Sequence, residues 1–281
     1  MLPLLDTHQH LLYRSEANYA WTKDIPPLAE GDFTVEDYNS LTSGLGVAGS
    51  LFMEVDADNF IDETNFINSI SKNPESGIKG LIVSIRPEKD EGFESWLNES
   101  IDLGVLGYRR ILHVVPDEMS QSQIFRSNIK KIGAAGKTFD LCFLQKQLPV
   151  AFELAKECEN TTLILNHCGV PDIAGEGFES WSKNMRELSK LSNVFCKLSG
   201  LMAYCAPGTA SLEKIEPYVD LVLNAFGPNR IVWGSDWPVV NLAKGLQEWI
   251  AVTRKILSKL SNEEASAIAN GTAQNIYKVK L

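Results

Sequence analysis

Eight short runs of apolar and β-branched residues recur along the chain at intervals of roughly 30 residues. They are LPLL (2–5), VAGSLFMEV (47–55), IKGLIVSI (78–85), YRRILHVV (108–115), DLCFL (140–144), TTLILNH (161–167), VFCKLSG (194–200) and RIVWGSDW (230–237). Their apolar character is nearly continuous, without the alternation of a half-exposed strand, and that suits parallel strands covered on both sides. Helical periods fill the gaps. Ala151, Leu154, Ala155 and Cys158 share one helical face, as do Trp181, Met185 and Leu188. Ile215, Val219, Val222 and Phe226 form a third stripe, and Trp249, Val252, Ile256 and Leu260 a fourth. A capping box, Ser261 to Glu264, opens the last helix. Strands alternating with helices eight times point to an α/β chain folded as a (β/α)8 TIM barrel. A doubly wound open sheet is the competing fold, but its glycine-rich first turn is missing: the segment after the first run is DTHQH (6–10).

A barrel of this type uses about 250 residues, so 281 residues make one domain, residues 1–281. No linker or low-complexity tract divides the chain. With 26 basic against 36 acidic residues the net charge is −10. That sign opposes binding to a phosphate backbone, so nucleic acid is not expected as a partner. Five cysteines form no CxxC pair, which reads as reduced thiols in a cytoplasmic protein. Cys168 reads as a core residue. No run of about 18 apolar residues offers a membrane span. A homodimer is compatible with an acidic barrel of this size.

Only four histidines occur, and their placement is informative. His8 and His10 follow strand 1 as H-x-H, and the strand period of two turns both rings to one side. His167 ends strand 6, and Asp236 ends strand 8 in GSDWP. In a barrel, all four positions converge on the C-terminal face, where active sites lie. Two long irregular stretches, 11–33 and 202–211, are expected to cover that face. Ser199 and Ser235 lack a G-x-S-x-G elbow, which disfavours a serine nucleophile.

H-x-H after strand 1 with an aspartate after strand 8 resembles the amidohydrolase superfamily. More narrowly, DTHQHL (6–11), Trp21 with Pro26-Pro27-Leu28, LILNHCGVP (163–171), CKLSGL (196–201), FGPNRIVWGSDWPV (226–239) and GTAQNIYKV (271–279) resemble the amidohydrolase-related lactonases. That family includes sugar-acid (aldono-) lactonases and the 2-pyrone-4,6-dicarboxylate lactonase. The resemblance runs over nearly the whole chain in order. It implies a distorted TIM barrel of the metal-dependent-hydrolase type and a small-molecule lactone substrate. It also implies Asp236 as general base toward water, with His8, His10 and His167 polarising the ester carbonyl.

Two routes to that polarisation stay open. The histidines can donate hydrogen bonds directly, or bind one divalent ion, zinc by donor type, through His8, His10 and Asp236 with Glu54 as a further ligand. Asp140 and Cys142 near strand 5 do not supply the bridging residue of a two-metal site. For substrate, Arg109 is chosen over Arg110 because the glycine-x-arginine position matches the family, and a guanidinium can grip oxygens bidentately. Lys197, too costly to bury alone, is expected to meet a site carboxylate or a ligand oxygen. His113 either lines the mouth or is structural. Trp21, Tyr19 and Trp237 are candidates for an aromatic wall, and Trp233 for the core. A mononuclear-zinc amidohydrolase or decarboxylase, a pyrone-dicarboxylate-type lactonase and a non-catalytic sugar-acid-binding barrel are the alternatives.

Overall fold

A computed structural model of the chain describes residues 1–175 and 177–281. Eight parallel strands follow one another around a single sheet in chain order, β1 (Leu4–Gln9), β2 (Val47–Met53), β3 (Ile78–Ser84), β4 (Gly107–Ile111), β5 (Thr138–Cys142), β6 (Leu163–Leu165), β7 (Val194–Leu198) and β8 (Ile231–Trp233). Each strand coincides with one of the apolar runs. The helices between them are α1 (Val35–Thr42), α2 (Phe60–Ser71), α3 (Phe93–Asp102), the pair α4 (Asp117–Gln121) and α5 (Gln123–Ala134), α6 (Leu148–Glu157), α7 (Phe178–Ser189), α8 (Leu212–Phe226) and α9 (Leu246–Leu257). No helix among the described residues is long and apolar enough to cross a membrane.

Two apolar layers follow from the strand period. Outward residues such as Phe52, Tyr108, Phe139, Leu163, Cys196 and Trp233 pack against the helices. Inward residues Leu5, Leu51, Met53, Ile82, Ile164 and Val232 fill the barrel and meet Ala273 and Tyr277. Those last two belong to α11 (Thr272–Tyr277), which continues α10 (Asn262–Ser266) through one π turn at Ala267–Gly271. The capping box at Ser261 forms as expected, with Glu264 N donating to Ser261 Oγ and Ser261 N to Glu264 Oε2. It opens α10; the chain's final helix is α11.

Strand 1 runs further than its apolar residues. LPLL ends at Leu5, yet the strand continues through Gln9, fully buried throughout. Most of its polar groups are bonded from neighbouring segments, with Gln9 Nε2 and His8 Nδ1 left without a partner among the described residues. Asp6 accepts from Tyr38 Oη, His8 N and Ser235 N, Thr7 Oγ1 donates to Trp233 O, and Gln9 Oε1 accepts from Ser50 Oγ. The register against β2 slips between Asp6 and Gln9, where three steps on β1 match two on β2. This bulge reverses the phase of the strand. Leu5 points inward, and without the slip His8, three residues on, would point out to the helices.

Candidate active site

The bulge delivers His8 to the barrel interior, and His10 follows with the period of two. Rotation of the two rings is set by their partners. His10 Nδ1 lies 2.9 Å from Met53 O, a pure acceptor, so Nδ1 carries a proton and Nε2 is turned to Asp236. His8 Nε2 lies 3.3 Å from Arg109 Nη1, a pure donor, so it is an acceptor. Two glycines make room. A Cβ on Gly234 would stand 2.7 Å from His8 Cβ, and one on Gly200 would stand 2.9–3.0 Å from the His167 ring and Cβ.

His167 is held by an unusual stretch of backbone. His167, Cys168, Gly169 and Val170 all have positive φ, between 47° and 70°. A left-handed conformation costs L-residues roughly 1–2 kcal/mol each, and such strain concentrates at functional sites. The turn presents His167 Nδ1 to Ser199 Oγ at 2.9 Å. Asp236 is also left-handed (φ 59°) and its N–H donates to His8 O at 2.8 Å.

These segments bring the four sequence-derived residues together. Asp236 Oδ1 is 3.6 Å from His8 Nε2 and 3.4 Å from His10 Nε2, and Oδ2 is 3.8 Å from His167 Nδ1. Burial pushes the Asp236 carboxyl up, but the neighbouring His167, His10 and Arg109 outweigh it and hold it below the usual carboxylate range. Asp236 is therefore ionised at neutral pH. Burial carries His167 down to about 4, against the pull of Asp236, and burial plus the charge of Lys197 carries His8 well below its ordinary value. Those two imidazoles are neutral.

Neutral His8 and His167 thus face a carboxylate across less than 4 Å, an arrangement that asks for a positive centre. Among the described residues, His8, His167 and Asp236 form the group whose ligand atoms all lie within 4.8 Å of one another. Two imidazoles and a carboxylate are a donor set suited to a divalent transition metal. His10 stands beside that group. Glu54, expected as a further ligand, is committed elsewhere: Arg109 Nε donates to its Oε1 at 2.5 Å and Asp56 N to its Oε2 at 2.8 Å.

A cavity of about 270 Å³ opens over the group, with His10, His167, Asp236 and Arg109 in its wall. Trp21 and His113 also line it. The Trp21 indole N–H donates to Val55 O at 2.7 Å, and His113 Nδ1 lies 3.3 Å from Cys142 Sγ. Lys197 stays behind the wall. Fully buried, it bonds Asp140 Oδ1 at 2.6 Å and Thr7 O at 3.1 Å. Its partner, Asp140, faces the enclosed interior and is not a carboxylate of the cavity, so Lys197 does not reach the substrate side as expected. Tyr19 and Trp237 do not form an aromatic wall. Tyr19 is core, accepting from Tyr13 N through its hydroxyl, and Trp237 packs edge-on against Phe33 and Tyr38. Trp233 is core as expected, and so is Cys168.

The cavity's remaining aromatic is Tyr204, 6.3 Å from the His167 ring centroid. It comes from the loop 202–211 already assigned to the mouth, so only the choice of residue was missed. Asp56 also lines the cavity; it lies beyond the end of β2 with φ 52°, so no strand period pointed to it.

A family model described as Amidohydrolase matches residues 5–279. The chain belongs to the amidohydrolase family. Among amidohydrolases of known or named activity, it is similar to an L-fucono-1,5-lactonase of Burkholderia multivorans, 28% identical over 97% of this chain and 95% of that one. An L-fucono-1,5-lactonase of Burkholderia ambifaria is 24% identical over 98% and 95%. A crystal structure of an amidohydrolase from Burkholderia multivorans with bound zinc superposes with a TM-score of 0.89, at 27% identity over 99% of this chain and all of that one.

Proposed function

We propose that this amidohydrolase opens a sugar-acid (aldono-) lactone by attack of water, with Asp236 as general base. The observation that carries the reading is the ionised, buried Asp236 carboxylate at the cavity wall, ringed by His8, His10 and His167. Ester hydrolysis needs a base for water and a positive or donating group for the carbonyl oxygen. Asp236 serves as the base. Arg109, in the wall, keeps N–H groups available for a substrate oxygen. Direct donation from His8 Nε2 is disfavoured, because that nitrogen accepts from Arg109 Nη1.

The residues fit a bound cation better. His8, His167 and Asp236 would hold it, with His10 adjacent, and zinc suits the donor types. When bound, such an ion polarises the ester carbonyl and acidifies water. The lactonase relatives and the zinc-bound structural neighbour support both parts of this reading. The chain's own part is to hold Asp236 by the Asp236 N to His8 O bond, and to hold the rings through Met53 O, Arg109 and Ser199.

The test is proton release on a panel of aldono-1,4- and 1,5-lactones, before and after dialysis against a strong chelator. Turnover well above the spontaneous rate, lost on chelation and restored by zinc, is expected. Hydrolysis untouched by complete metal removal would return the polarising role to Arg109 and the histidines. No lactone turnover in the zinc-loaded protein would overturn the reading.

A further inference from the structure

The cavity's charges bear on what the substrate carries besides its ester. Arg109 is the cationic side chain in the wall among the described residues, and it is already matched. Nε bonds Glu54 Oε1, Nη2 bonds Glu54 O and Nη1 bonds His8 Nε2. Of the five N–H bonds of a guanidinium, two remain to donate, on a group whose charge Glu54 has neutralised. Behind the wall, Arg110 pairs with Glu88 at 3.1 Å, and Arg86 stacks over Phe60 at 4.5 Å. Arg109 is matched by Glu54 and Arg110 by Glu88, while Asp56 stands 3.8 Å from Arg110 Nη1 as a looser ion pair. Among the described residues, no cationic side chain without a carboxylate partner lines the cavity.

Asp56 is the complement. It is half-buried in the wall and held left-handed (φ 52°) by its N–H bond to Glu54 Oε2. Its carboxylate makes no side-chain hydrogen bond among the described residues; Arg110 Nη1, at 3.8 Å, is beyond that range. A carboxylate with open acceptor sites suits a pair of hydroxyls. His113, lowered by burial and by Arg109, is neutral and adds a ring donor and acceptor without charge.

We infer that the wall formed by Asp56, Arg109 and His113 recognises the hydroxyls of an uncharged polyhydroxy lactone, that Asp56 determines this specificity, and that lactones bearing a carboxylate are rejected. This rests on the aldonolactone reading and adds the residue that selects the hydroxylated ring and turns away a carboxylated one. A carboxylate placed against this wall meets Asp56 with no unpaired cation to receive it, a like-charge contact in a partly desolvated site.

Three lactones separate the terms: a hydroxylated aldonolactone, the same ring carrying a carboxylate, and δ-valerolactone, which has no hydroxyls. The wild type should favour the first over the second by about 100-fold in kcat/KM. Glycine and asparagine both tolerate the backbone at position 56, so the fold should survive either change. Asp56→Gly should lose about tenfold more on the hydroxylated lactone than on δ-valerolactone, chiefly in KM. Asp56→Asn should narrow the discrimination against the carboxylate by about tenfold. Wild-type preference for the carboxylated ring, or equal losses on hydroxylated and bare lactones, overturns the inference.

Calorimetry with uncharged sugar alcohols against sugar acids separates this outcome from failure of the lactone reading. Polyol binding that Asp56→Gly abolishes, with no lactone hydrolysed, keeps the specificity and discards the reaction. Tighter binding of sugar acids, or no polyol binding, discards the specificity.

Discussion

Lys197 and Asp140 sit 2.6 Å apart in the enclosed interior with no exposure at all, whereas His8, His10, His167 and Asp236 meet at the edge of a cavity. Both clusters bury ionised groups. In the first, opposite charges close on each other, and Asn166 Nδ2 adds a further bond to Asp140 Oδ1 at 2.6 Å. In the second, a carboxylate faces the neutral rings of His8 and His167, and among the described residues no lysine or arginine bonds it. Charges that satisfy one another hold a fold together, while charges aimed at a shared point await a ligand. Burial alone does not separate the two cases. The direction of donors and acceptors does.

The contrast can be broken from either side. The largest effect is expected at Asp236→Asn, which should lower lactone turnover about 10³-fold or more with a melting temperature near that of the wild type. Lys197→Met should do the reverse in kind. Leaving Asp140 buried without its partner should cost about 3–5 kcal/mol of stability, read from urea unfolding, and Lys197→Met with Asp140→Leu together should recover much of it. Gly234→Ala tests how closely the mouth is fitted. Its methyl must displace His8, and a shift of about 1 Å near the chemistry is worth about 10²-fold in kcat. At the small end, Tyr277→Phe removes a buried hydroxyl that has no hydrogen-bond partner among the described residues. It should change stability by less than about 1 kcal/mol and leave turnover alone. A large activity loss there would show that the interior and the mouth are not separate.

The sequence made the barrel legible because parallel strands buried on both faces are written as apolar runs. It also made His8, His10, His167 and Asp236 legible, since strand ends in a barrel share a face. The end of β1 was less visible: Asp6, Thr7 and Gln9 look like loop to hydropathy, and only bonds from Tyr38, Ser235 and Ser50 keep them in the strand. The bulge left no local mark either. Pairings were the other gap. Glu54 and Arg109 lie on different strands, and nothing in either segment says that one neutralises the other. Asp140 was visible as a polar residue near strand 5, but not as the counter-charge of Lys197. Trp237 and Tyr19 showed their chemistry without their direction, so both stood only as candidates for the site, and both are core.

The bonds from Thr7 to Trp233 and from Ser235 to Asp6 span 226 and 229 positions of sequence. They join the first strand to the last and to the segment just after it, and Asp236 hangs from that seam. Contacts so distant along the chain form late, because the loop they close is nearly the whole molecule. During synthesis, the histidines emerge long before the carboxylate they surround. A chain clipped before Asp236 would carry all four imidazoles and no base, so hydrolytic competence arrives in one step, with the docking of the final strand.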